Sequence, residues 1–123
     1  MPFTLKNTQW KRLAYGWLLF CTILFCMPGN ALPKTRLIDV PFFDKWVHIG
    51  LFAILNFLFL KAYVPNGRIS LVVWLLALVI YGTLIEFVQR YLIPFRSFDL
   101  VDIVADTVGA LLGLLLFKML PKY

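Results

Sequence analysis

Nine polar side chains of this sequence stand at spacings that could do chemistry together: Asp44, His48, Glu86, Gln89, Arg90, Arg96, Asp99, Asp102 and Asp106. Asp44 and His48 are i, i+4. Glu86, Gln89 and Arg90 follow i, i+3, i+4, and Asp99, Asp102 and Asp106 are three and four apart. On a helix each of these spacings stacks the side chains on one face. Carboxylates beside one imidazole offer general acid–base transfer or ligation of a divalent metal. One His among carboxylates does not choose between Mg²⁺, Mn²⁺ and Zn²⁺. Arg90 and Arg96 are the expected partners of the carboxylates and could also hold an anion. Glu86, His48 and Asp102 are therefore the catalytic candidates, and all nine residues form the candidate ligand-binding set. The plainer reading is structural, a buried polar network that fixes how helices pack. Ionisable groups in or beside membrane-length apolar segments favour the functional reading. His48 by itself reads more readily as a hydrogen-bonded packing residue. Asn56, two turns below it, reads as glue between helices, and Tyr81 and Thr83 as packing.

The elements that must position these residues follow from composition. The chain has 123 residues, one domain by length. It is 62% hydrophobic and only 15% charged, too little polar surface for a water-soluble globule. The expected class is all-α, a polytopic membrane protein with four transmembrane helices in a bundle. The segments run over about 10–27, 44–63, 69–90 and 100–120. Each is near the roughly 20 residues that cross the hydrocarbon core. Pro28-Gly29, Pro65-Asn66-Gly67, Pro94 and Pro121 punctuate them. Asp44 suits a helix start, and Asp99 leads into a cap. A cleaved signal peptide competes for the first segment, because Gly29-Asn30-Ala31 loosely resembles a cleavage site. Pro28-Gly29 reads better as a helix stop. Cys21 and Cys26 are five apart and face away from each other on a helix, which argues against a disulfide. With one His, they also leave no zinc-finger pattern.

Charge sets an orientation. With the N-terminus inside, seven cations fall inside and five outside, a modest positive-inside bias. The acids are sharper, for all six fall on the outer side. The expectation is both termini in the cytoplasm, with a polar cluster at the outer leaflet. The net charge of +6 does not imply nucleic acid, because the basic residues sit at segment ends and form no stripe. Ala105, Gly109 and Gly113 make a small-xxx-small stripe in the fourth segment, continued upward by Asp102 and Asp106. It could serve packing within the bundle or dimerisation. The aromatic residues gather at segment ends, as an interfacial belt does.

The ordered set Pro41-x-x-Asp44-Lys45-x-x-His48, Gly82-x-x-x-Glu86-x-x-Gln89 and Arg96-Ser97-x-Asp99-x-x-Asp102-x-x-Ala105-Asp106-x-x-Gly109-Ala110-x-x-Gly113 resembles the VanZ-like family. The resemblance runs from the first segment onward, and its specificity lies in order and spacing. The family commonly has Asn where this chain has Asp106. The resemblance implies an envelope membrane protein, related to low-level resistance to teicoplanin, a lipoglycopeptide. A phosphotransbutyrylase activity sometimes attached to the family finds no phosphate loop or acyl-transfer motif here. Two functions are expected in competition. One is binding of an envelope lipid or lipoglycopeptide at an outer-leaflet polar pocket. The other is an intramembrane, metal-dependent enzyme acting on a lipid-linked substrate. A proton relay is the weakest reading, because only Asn56 is polar deep in the cytoplasmic half.

Overall fold

In the computed structural model, residues 5–28, 43–63, 71–94 and 99–120 are described. Within them the chain forms four helices and no strand: α1 (Asn7–Phe25), α2 (Phe43–Tyr63), α3 (Leu71–Leu92) and α4 (Leu100–Met119). α2, α3 and α4 are each long and apolar enough to cross a membrane. α1 is the exception among the four expected spans. It begins at Asn7 rather than Trp10, and its first two turns carry Asn7, Gln9, Lys11 and Arg12.

The ends follow local chemistry. The Gln9 side chain accepts from the Lys6 backbone N–H at 2.7 Å, which is half of a capping box. Asp99 is the N-cap of α4, and its carboxylate accepts from the Val101 N–H at 2.9 Å. The long connection and the two other expected loops, over 29–42, 64–70 and 95–98, lie outside the described residues, and so does Arg96.

The helices run up and down. Lys61 near the end of α2 lies 5.7 Å from the Trp10 ring at the start of α1 and 5.9 Å from Phe117 near the end of α4. At the other end Phe25 stacks on His48, with ring centroids 4.8 Å apart. α2 and α4 form the closest pair, with α1 laid on α2 and α3 on α4. The small-residue stripe makes that closeness possible. A Cβ on Gly109 would fall on the Ile49 carbonyl, and one on Gly113 on the Ala53 carbonyl and within 3.1 Å of the Asn56 Cβ. Backbone touches backbone there, so the stripe is taken up within the chain. Asn56 adds a 2.6 Å bond from Nδ2 to the Ala110 carbonyl, in the same seam.

Outside an apolar core, polar and apolar side chains are placed unlike those of a water-soluble bundle. Leu19, Ile23, Ile80, Leu84, Val104 and Leu115 are exposed, whereas His48, Asn56, Glu86, Gln89, Asp102 and Asp106 are buried. An apolar exterior, with the polar side chains drawn inside among Phe52, Leu55 and Leu60, is what a hydrocarbon solvent selects.

Candidate functional site

The polar residues come together at the end of the bundle where α1 and α3 finish and α2 and α4 start. They form two layers. In the upper layer the Lys45 ammonium, from the first turn of α2, donates to Asp44 at 2.6 Å, Asp99 at 2.5 Å and Asp102 at 2.6 Å. Asp44 is the most exposed of the three, with 64% of its side chain accessible. Lys45 and the Val101 N–H together hold the Asp99 carboxyl below the usual carboxylate range.

The lower layer is built around His48. One turn below Asp44, its Nδ1 lies 2.6 Å from the Asp106 Oδ1, and its Nε2 lies 3.8 Å from the Asp102 Oδ2. The stacked Phe25 ring fixes the plane of the imidazole from α1. Asp106 fits because Gly82 of α3 has no side chain: a Cβ there would lie 2.6 Å from the Asp106 Oδ2. An asparagine Oδ1 could accept the same bond from His48, so what Asp106 adds is charge.

Glu86 closes the layer from α3. Its Oε2 accepts from the Asp99 backbone N–H at 3.2 Å. Its Oε1 and the Asp106 Oδ2 are buried and have no hydrogen-bond partner among the described residues. Buried polar atoms are rarely left so, and each such atom asks for an explanation. Together, five carboxylates face one ammonium and one imidazole.

The remaining site candidates are placed differently. Gln89 is buried, but its Nε2 donates to the Phe25 carbonyl at 2.9 Å. That bond satisfies one of the carbonyls left open at the end of α1. Arg90 is exposed and lies over the Tyr91 ring at 5.5 Å. Among the described residues it forms no ion pair with these carboxylates, contrary to the sequence expectation. The inward arc of α3 runs through Gly82, Ile85, Glu86 and Gln89. One step further round, a long guanidinium turns to the interface. Lys45 takes the role assigned to Arg90. Its signal was present in the sequence: a cation in the first turn of α2, three residues before His48, inside the quoted motif.

A shallow groove on the outer face of α2 and α4 reaches this cluster. Trp46, Ile49, Val101, Val104 and Val108 line it, and Lys45 stands at its upper end.

The chain matches the family model described as VanZ/LLP1 over residues 2–121. It therefore belongs to the VanZ/LLP1 family. An uncharacterized protein of Schizosaccharomyces pombe is 38% identical over 80 residues, which are 64% of this chain and 49% of the yeast protein. The chain thus spans about half the length of that relative. No solved structure matches.

Proposed function

We propose that this member of the VanZ/LLP1 family is an envelope membrane protein that holds a membrane amphiphile, with its head group at the polar end of the bundle. The amphiphile is an envelope lipid or a lipoglycopeptide such as teicoplanin. The observation that carries this reading is one place where an apolar groove along α2 and α4 ends at Lys45, the cation that binds Asp44, Asp99 and Asp102. The groove suits an acyl chain, and the charged layer above it suits a polar head. Arg90 lies at the same end of the bundle, free of those ion pairs, and could hold an anionic group of the ligand.

The membrane proposed is the bacterial cytoplasmic membrane, with both termini inside. Among the described residues Lys6, Lys11, Arg12, Lys61 and Lys118 lie at the end opposite the acids, which supports that orientation.

A sensitive host expressing the chain tests the antibiotic arm, beside Glu86→Gln and Val104→Trp at matched membrane levels. The expected result is protection against teicoplanin and not vancomycin, lost in both variants. No protection by the wild type would overturn the antibiotic arm. The lipid arm is read by mass spectrometry of phospholipid retained through purification. The expected retention is about one lipid per chain, reduced in Val104→Trp. Equal retention by that variant would remove the groove as the binding surface.

A second reading, an intramembrane enzyme acting on a lipid-linked substrate, draws on the His48–Asp106 pair. It offers a held imidazole whose Nε2 has no hydrogen bond among the described residues and lies beside two carboxylates. Turnover of a lipid-linked phosphate ester by the purified chain, abolished in His48→Ala, is the outcome it requires.

A further inference from the structure

We propose that His48, Glu86 and Asp102 form a binding site for one divalent transition-metal ion, Zn²⁺ or Mn²⁺, with Asp106 as the residue that orients the imidazole. The inference does not depend on the amphiphile reading, since it concerns an ion and not a lipid.

The three side chains come from three different helices, and one ligand atom of each lies within 4.8 Å of the other two. His48 Nε2 and Asp102 Oδ2 are 3.8 Å apart, too far for a hydrogen bond. Metal–ligand bonds of about 2.0–2.2 Å would bring such a pair to roughly 3–3.5 Å, so this pair needs to close by less than an ångström, with Glu86 moving in from α3 as the third ligand. Lys45 does not occupy the position, because it binds Asp102 through Oδ1 and leaves Oδ2 facing His48.

Two independent observations point to a ligand there. The first is the Glu86 Oε1. The residue is fully buried, yet that oxygen has no partner among the described residues. Leaving a carboxylate oxygen dry and unpaired is costly, and a cation removes the cost. The second is the Asp106–His48 bond at 2.6 Å. A neutral imidazole that donates from Nδ1 to a carboxylate presents its Nε2 lone pair outward. This is the arrangement that stands behind metal-bound histidines. Charge agrees, because five carboxylates face a single ammonium and a divalent cation would halve the excess. One imidazole with two carboxylates suits Zn²⁺ or Mn²⁺, and three protein ligands leave positions open for a water or a ligand oxygen.

The full chain, purified in detergent and stripped with a chelator, is titrated with Zn²⁺ or Mn²⁺ and assayed for retained metal. We expect one ion per chain. His48→Ala, Glu86→Gln and Asp102→Asn should each lower affinity at least tenfold, and Asp106→Asn about 10–100-fold as a residue acting through His48. Lys61→Gln, at the opposite end, should bind like the wild type. Because a variant could fail to fold, Mn²⁺ electron-spin-echo spectra of the wild type supply a second readout. Modulation by a directly bound imidazole nitrogen is expected. Absence of retained metal, or an Mn²⁺ signal without that nitrogen, overturns the proposal. So does binding that survives His48→Ala but is lost in Asp44→Asn, which would move the ion to the Asp44–Asp99–Asp102 rim.

Discussion

Lys45 holds three carboxylates with one ammonium while only 15% of its side chain is accessible. Removing the shared cation strands Asp102, the one buried carboxylate of the three, while Asp44 and Asp99 are screened, so the cost is about 1–3 kcal/mol. Lys45→Met should therefore lower the unfolding free energy in detergent by about that much, measured by denaturant titration, whereas Arg90→Met should change it little. Gly82 makes a second test at this scale. Gly82→Ala places a methyl group against Asp106, whose short side chain can swing aside. The fold should lose only about 1 kcal/mol, while metal affinity falls about tenfold as Asp106 leaves His48. The two effects are separated by measuring unfolding without metal and binding with it. Residue types and spacing pointed to His48, Glu86, Asp102 and Asp106, because buried charge in an apolar chain is conspicuous. They put Arg90 where the structure has Lys45. Whether Arg90 or Lys45 turns inward depends on a rotation of tens of degrees about a helix, which sequence spacing does not resolve.

The glycines of the helices are not equivalent. Gly113 meets the Ala53 backbone, whereas a Cβ on Gly50 would meet nothing within 4 Å. Gly50→Ala should be neutral or stabilising by up to about 1 kcal/mol, from helix propensity alone. Gly113→Ala should destabilise by about 1–3 kcal/mol, because α2 and α4 must part. Thermal unfolding of the pair checks this. Equal effects would mean that the α2–α4 contact is not the tight seam of the bundle. The stripe was legible as a close-packing face, but its partner was not, since a dimer and an intrachain helix ask for the same residues. Apolar length placed α2, α3 and α4 well. α1 was harder, because its polar first turns dilute its apolar part.

Across the whole molecule, the described acids gather at one end and most of the described cations at the other. If the acidic end faces outward, Arg90→Cys in a Cys21→Ser, Cys26→Ser background should react with a membrane-impermeant maleimide in intact cells. Lys118→Cys should react only after permeabilisation. The reverse pattern would put the cluster in the cytoplasmic leaflet. That the cluster lies at one level was readable from four alternating segments. That it splits into a Lys45 layer over a His48 layer was not, because the layering depends on how far α2 and α4 slide along each other, and the backbone contacts at Gly109 and Gly113 set that.

The central claim is that the buried polar end is kept for a ligand and not for packing. Unfolding of metal-free Glu86→Gln against metal-free wild type tests it most directly. Glu86 carries a buried oxygen without a partner among the described residues, so neutralising it should relieve a cost. The variant should unfold at the same or a higher temperature. A variant destabilised by about 3 kcal/mol or more would mean that the Glu86 carboxylate is part of what holds the helices together, and would contradict the claim.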